Sequence, residues 1–184
     1  VYILLKWYVI LITVVTIFVE VMFGVVGWIA AVSSFSCLLI IFVANLALQS
    51  MVRQGKVFRP LPYISLFFDL AVVITALYFN GGPENTWWFM PVFVIFITGY
   101  VFTLRVAIAY AALAFLMAAT IFWLEYFGLI PHFGIYDLPV TLWKNREFMI
   151  DYLIGTFLLY TAGALISGYF NRLIGQSAQQ LENG

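Results

Sequence analysis

Six long apolar stretches separated by short polar breaks constrain this 184-residue chain more than any other feature. The chain carries only eight basic and eight acidic residues, and no charged residue lies between Glu20 and Arg53. A soluble domain of this size needs a wetted exterior and cannot hide so much apolar surface. A helix that crosses a bilayer instead requires about 20 mostly apolar residues. The pattern therefore predicts an all-α, polytopic membrane protein.

The apolar stretches predict a bundle of six transmembrane helices. Their predicted ranges are 4–23, 28–48, 61–79, 86–104, 106–127 and 148–170. Together they form one transmembrane domain over residues 1–172, and residues 173–184 follow as a cytoplasmic exit helix or linker. Asn-Gly-Gly-Pro-Glu-Asn at 80–85 is a cluster of turn residues and separates the third and fourth helices.

Basic residues predict the orientation of the bundle, because cytoplasmic loops carry an excess of Lys and Arg. If both termini are cytoplasmic, six of the eight basic residues lie inside, and only Lys144 and Arg146 lie outside. Five of the six tryptophans then fall at the outer interface, where amphipathic rings meet headgroups. They are Trp28, Trp87, Trp88, Trp123 and Trp143. Both signals predict that the two termini are cytoplasmic.

Asp69 is the most unusual residue of the predicted spans, because it lies about eight positions into the third one. An acid at that depth usually faces the bundle interior, a partner or water. Asn45, Tyr100 and Tyr110 are candidate partners on neighbouring spans. Two roles stay open for Asp69: a structural hydrogen bond between two helices, or a part in sensing or proton uptake.

The turn that follows the third span is a second candidate site. Gly81 and Gly82 let the backbone turn sharply and approach a ligand closely. Asn85 can bond its own backbone or a ligand carbonyl, and Trp87 and Trp88 offer flat apolar faces at the interface. This group suits a quinone headgroup or an amphipathic signal molecule. The alternative is a plain turn with an interfacial anchor.

Two acids near the ends of spans, Glu20 and Glu125, are expected to reach the interface and receive no role. His132, the only histidine, is interpreted as an ordinary loop residue, with pH sensing as the alternative. The loop at 128–147 is apolar for a loop, which favours an amphipathic segment or lid along the interface.

Small residues recur at a spacing of four on the sixth predicted span. Gly163 pairs with Ser167, and Ala164 pairs with Gly168. Such pairs predict close helix contact, within the protein or across a dimer.

The sequence contains no hydrolase elbow, zinc-protease helix, phosphate-binding loop or haem-attachment motif. It therefore predicts no catalytic site and no metal site in this chain. The formal net charge of zero gives no reason to expect a nucleic-acid partner.

Asp69 and the run Leu-Tyr-Phe-Asn-Gly-Gly-Pro-Glu-Asn at 77–85 resemble the six-span membrane input region of bacterial sensor histidine kinases. That family includes the redox-sensing RegB/PrrB-like group. In that family an acid in the third span precedes a leucine- and tyrosine-rich stretch and a Gly-Gly-x-x-Asn-Pro-Phe turn associated with quinone sensing. The two glycines and the asparagine match, while Thr86 and Trp87 stand in place of Pro-Phe.

The resemblance implies a sensory input module of a two-component system in the bacterial cytoplasmic (inner) membrane. Such a module detects a membrane-soluble or outer-face signal, with quinone as the candidate cofactor, and relays it through the sixth helix to a kinase domain expected after the exit helix. Its expected partners are membrane lipid and a second copy. The alternative is a non-catalytic accessory subunit of a larger membrane complex. The candidate ligand-binding residues are Asp69, Gly81, Gly82, Asn85, Trp87 and Trp88.

Overall fold

The computed structural model describes residues 2–23, 28–56, 58–84, 87–133 and 142–182. In these ranges all regular structure is helical, which confirms the all-α prediction. The six α-helices are α1 (Tyr2–Met22), α2 (Trp28–Arg53), α3 (Leu61–Phe79), α4 (Pro91–Val101), α5 (Leu104–Tyr126) and α6 (Arg146–Glu182). Two short 3₁₀ turns, Gly82–Glu84 and Leu142–Lys144, follow α3 and precede α6.

Five of the helices, all except α4, are long and apolar enough to cross a membrane. A helix satisfies its own backbone hydrogen bonds, which is the condition for entering lipid. Large apolar side chains also remain on the outside of the bundle, for example Leu11, Phe18 and Leu39. These features indicate a multi-pass membrane protein.

The fourth predicted span, 86–104, differs most from the structure. α4 contains only 11 residues, about 16 Å at 1.5 Å per residue, against a hydrocarbon core about 30 Å thick. Pro91 occupies its first turn, where a missing N–H costs nothing. Phe102 leaves the helical conformation, and extended Thr103 caps α5 by accepting from the Val106 N–H. The bundle therefore has five long helices and one short one.

The other boundaries follow the prediction with two extensions. α3 spans Leu61–Phe79, as predicted. α2 continues to Arg53, through the first part of the predicted polar connector. α6 has 37 residues, about 55 Å in length, so the sixth span and the predicted exit helix form one unbroken helix as far as Glu182.

The two central helices, α3 and α4, divide the bundle. α1 and α2 pack on one side of them, and α5 and α6 pack on the other. The buried apolar core lies between α3, α4, α5 and α6, and includes Leu70, Ile95, Ala114, Tyr160 and Ala164. We call the end of the bundle that carries the 3₁₀ turns the loop end, and the opposite end, near Lys6 and Asn171, the terminal end.

Candidate functional site

The turn after α3 has the sharp backbone that its glycines predict. Gly81 and Gly82 adopt positive φ angles of 99° and 51°, a region that favours glycine. A Cβ atom built on Gly82 would lie 2.6 Å from Oε2 of Glu125, so this position also lacks room for a side chain. Asn85 lies outside the described residues. The glycines therefore shape the turn and bring it against α5.

The predicted site residues divide between three places. Asp69 and Trp87 line a common cavity. Gly82 packs against Glu125 on α5. The Trp88 ring lies 5.6 Å from the ring of Tyr152, a residue of α6. The described residues of the predicted site therefore contact different helices, and of these Asp69 and Trp87 share one cavity.

The cavity has a volume of about 140 Å³ and lies between α1, α2, α3 and α4. Along its length the wall is mostly apolar and includes Val9, Ile41, Val73 and Phe93. Its size is close to that of an apolar cavity that holds one benzene ring. Polar side chains lie at its two ends, so the space suits a small, flat and largely apolar molecule with polar groups at its edges.

A buried ion pair forms the polar group near the terminal end of the cavity. Lys6 Nζ lies 2.7 Å from Asp69 Oδ2, and the two side chains are 3% and 8% exposed. The ammonium also donates to Ser65 Oγ at 2.8 Å. A charged pair at this depth is tolerated because each charge compensates the other.

The ion-pair partner of Asp69 is therefore Lys6 on α1, which was not among the three candidates predicted from sequence. Asn45 is fully buried on α2. The Tyr110 hydroxyl donates to the Tyr63 carbonyl at 2.6 Å, not to the acid. Lys6 was interpreted only as a marker of orientation, since it lies in the second turn of an otherwise apolar helix.

Glu20, Trp87 and Asn80 form the polar group near the loop end of the cavity. The Trp87 indole N–H donates to the Glu20 carboxylate. Asn80 Nδ2 donates to Ser34 Oγ at 2.8 Å and to the Ala76 carbonyl at 2.6 Å. Glu20, which received no role from the sequence, thus has a partner from across the bundle.

Small residues form a close seam between α4 and α6. A Cβ atom on Gly163 would lie 2.9 Å from Val92 Cγ1, and one on Gly99 would overlap the Ser167 side chain. A Cβ atom on Gly168 would lie 2.8 Å from the Cβ of Leu104, at the start of α5. The small pairs predicted on the sixth span therefore make their close contacts within the protein.

Hydrogen bonds hold α4 on α6 at both of its ends. At the terminal end, Asn171 Nδ2 donates to the carbonyls of Gly99, Tyr100 and Phe102 at 3.0, 2.9 and 2.9 Å. These are the acceptors that a helix C-terminus leaves without partners. Near the loop end, the Tyr160 hydroxyl donates to the Trp88 carbonyl at 3.0 Å.

α4 is therefore a wall shared by the cavity and α6. Phe93, Val94 and Ile97 line the cavity, whereas Val92 and Gly99 face α6. A molecule that fills the cavity contacts one face of α4, and the opposite face is fixed to the longest helix of the protein.

A second polar cluster lies at the loop end, outside the cavity. His132 Nδ1 is 3.3 Å from Oε1 of the fully buried Glu125, and His132 Nε2 is 3.4 Å from Glu84 Oε2. Burial alone would lower the pKa of His132, but the two carboxylates raise it by more, so the pKa lies above its ordinary value. The acids flank opposite ring nitrogens, and the described residues contain no grouping suited to a metal ion.

For His132 the sequence left pH sensing open as the alternative to an ordinary loop residue. It missed four other residues that the structure makes central: Lys6, Glu20, Glu125 and Asn171. Each is a polar residue near the end of an apolar helix or loop, where a role at the interface is the ordinary reading. Only their pairing across the bundle separates them from interfacial residues. A periodic pattern along one helix does not report such pairings.

Comparison of the chain with family models, with curated proteins and with solved structures finds no match. The cavity, the α4–α6 seam and the cluster at the loop end are the features of the molecule that point to a function.

Proposed function

We propose that this chain is a membrane-embedded input module that binds a small membrane-soluble molecule between α1, α2, α3 and α4 and relays its presence through α6. The observation that carries the proposal is the position of α4. One face of this short helix lines the cavity, and the opposite face is held on α6 by close packing and hydrogen bonds.

The lining of the cavity supports an amphipathic ring compound as the ligand. Its apolar wall favours a flat hydrophobic body, and its volume is close to that of a cavity that holds one benzene ring. A quinone headgroup is a flat ring of this size, and its two carbonyl groups give it polar edges. Quinone is therefore the first ligand to test, with the Lys6–Asp69 pair near one end of the cavity.

The relay requires that the ligand bind one arrangement of the helices better than another. α4 is short, and non-helical links bound it on both sides, so it can shift as a unit between two packed arrangements. Because Asn171 and Tyr160 tie it to α6, a shift of α4 moves α6 with it. The helix then carries the movement beyond the bilayer.

In this proposal the protein lies in a bacterial cytoplasmic membrane with both termini cytoplasmic and acts as a homodimer on a histidine kinase. Cysteines placed at Lys144 and Gln179 test the orientation, in a background with Cys37→Ala. A membrane-impermeant maleimide applied from outside is expected to label only position 144. Labelling of position 179 from outside would reject the orientation.

Binding is tested with a short-chain benzoquinone on protein reconstituted in lipid nanodiscs. A quinone in the cavity quenches the nearby indole of Trp87, so saturable quenching of tryptophan fluorescence reports occupancy. Val9→Phe fills the cavity, and we expect it to weaken binding at least tenfold. Val15→Phe is the matched control, because Val15 lies on the same helix and is 55% exposed on its outer face.

Equal binding by the two variants would show that the quinone does not occupy this cavity. Absence of saturable binding in the wild type, together with co-purification in fixed stoichiometry with a large membrane complex, would favour an accessory subunit instead.

A further inference from the structure

We infer that Glu84, His132 and Glu125 form a proton-binding site, separate from the cavity, whose occupancy latches the segment that leads into α6. The three residues come from the 3₁₀ turn after α3, from the stretch after α5, and from α5 itself. Their contacts join the turn after α3 to α5 and to the stretch that follows α5.

Both ring nitrogens of His132 face a carboxylate, which makes the arrangement sensitive to protonation. The distances are 3.3 Å from Nδ1 to Glu125 and 3.4 Å from Nε2 to Glu84. A neutral imidazole carries one N–H and can donate to only one of the two acids. The imidazolium donates to both, so the bridge is complete only when the proton is bound.

Because of the surroundings of Glu125, deprotonation of the imidazolium is energetically unfavourable. Its side chain is fully buried, and a buried carboxylate is unfavourable without a charged or hydrogen-bonding partner. The backbone of Gly82 closes one side of the carboxylate. Glu125 therefore cannot turn away without moving the 3₁₀ turn, and His132 is its available counter-charge among the described contacts.

The imidazole also contacts the residues that immediately precede α6. The rings of His132 and Trp143 are stacked, with centroids 4.9 Å apart. Two residues later, Asn145 Oδ1 accepts from the backbone N–H of Glu147 at 2.9 Å and caps the start of α6. A change at His132 thus acts on the beginning of the same helix whose middle is fixed to α4.

The other polar groups around the cluster favour proton binding or leave it unchanged. From α3, the Tyr78 hydroxyl donates to the carbonyl of Pro131, next to the histidine, at 2.7 Å. From α6, Tyr152 interacts electrostatically with Glu125. Among the contacts of the described residues, an opposing charge is the ammonium of Lys144, which lies over the Trp143 ring, 4.8 Å from its centroid. Lys144 does not contact the imidazole directly in these contacts, whereas both carboxylates do, so the site attracts a proton.

Because the chain has one histidine, ¹⁵N-histidine labelling gives an NMR titration of His132 alone, in the full chain in nanodiscs and without quinone. We expect a midpoint above the ordinary value of about 6.5. Glu84→Gln is expected to lower it by about one pH unit through loss of one adjacent charge. Glu125→Gln tests the second acid. Glu147→Gln, at an exposed acid of the same end, is expected to leave the midpoint unchanged.

A midpoint at or below 6.5 in the wild type, or an equal shift in Glu147→Gln, would overturn the site. A spin label at position 146, in a Cys37→Ala background, measures the mobility of the start of α6. Its mobility is expected to rise as the pH passes the midpoint in the wild type and to stay constant in His132→Asn. The same pH dependence in both proteins would overturn the latch, whatever the outcome of the quinone experiment.

Discussion

The two sides of α4 are built on opposite principles. Toward α6, glycines allow close contact, and the two N–H groups of the Asn171 amide are shared among three carbonyls at the helix end. Toward α1 the structure leaves a cavity of about 140 Å³, with polar contacts near its two ends. Close packing transmits displacement, because packed interfaces have few alternative arrangements. A ligand that fills the cavity can cause such a displacement.

α1 and α3 show the same contrast between whole helices. Only 11% of the apolar window of α1 is buried inside the protein, against 33% for α3. In lipid, apolar surface alone does not drive one helix onto another. The position of α1 therefore depends strongly on polar contacts such as those of Lys6 with Asp69 and of Glu20 with Trp87.

The largest effect is expected on the cavity side of α4, where the Lys6–Asp69 ion pair joins α1 to α3. Lys6→Met leaves Asp69 as a buried carboxylate without its ion-pair partner, and we expect it to lower the free energy of unfolding by about 3 to 5 kcal/mol. The double variant Lys6→Met/Asp69→Leu should recover most of that loss. Lys56→Met, at an exposed lysine, is the control. Unfolding by SDS titration in mixed micelles gives the values, and an equal loss in both lysine variants would contradict the account.

The next largest effect is expected in the closely packed seam between α4 and α6. Gly163→Val on α6 places a Cβ atom 2.9 Å from Cγ1 of Val92 on α4, and overpacking of this kind costs about 1 to 3 kcal/mol. Gly175→Val lies on the same helix with nothing within 4 Å, so we expect no loss. Thermal unfolding in detergent compares the two. Equal melting temperatures would show that the seam is not closely packed.

The fold was predictable where the bounds of a helix depend only on residues within it and directly beside it. The bounds of α3 follow from its apolar residues and from the prolines and glycines that flank them. α4 was not predictable in the same way, because 86–104 is mostly apolar and the helix ends at Val101 with no Gly or Pro directly after it. There the Asn171 amide donates to carbonyls that the next helical turn would otherwise have bonded.

The candidate site was predictable in its residue types more than in its pairings. Asp69 and Trp87 do line the cavity. Their partners, Lys6 and Glu20, both belong to α1, more than 60 residues earlier in the chain. Helical periodicity describes which residues share a face, but it does not state which faces of different helices meet.

A smaller effect is expected where Asn171 of α6 bonds the end of α4. Asn171→Leu removes the donor to three carbonyls at the end of α4, and unsatisfied buried acceptors cost about 1 to 3 kcal/mol. Gln176→Leu, exposed on the same helix, should cost nothing measurable. Quinone binding should survive in Asn171→Leu while the response of α6 is lost. A full response in this variant would break the proposed connection.

The smallest effect concerns the cluster at the loop end. The pKa of His132 is raised in the folded protein by its two carboxylates, so its contribution is complete below about pH 6.5 and is lost as the pH rises through that raised pKa. We expect a loss of about 1 kcal/mol in the wild type. His132→Asn should show no such decrease. Stability that rises with pH over this window would have the wrong sign for the account.

A distance measurement across the terminal end tests most directly the claim that filling the cavity moves α6. Spin labels at Gln54, just after α2, and at Gln176 on α6 report this distance by pulsed electron resonance in a Cys37→Ala background. Saturating short-chain benzoquinone is expected to shift the distance distribution in the wild type and in Val15→Phe, and to leave Val9→Phe unchanged. An unchanged distribution in the wild type, or the same shift in Val9→Phe, would contradict the account.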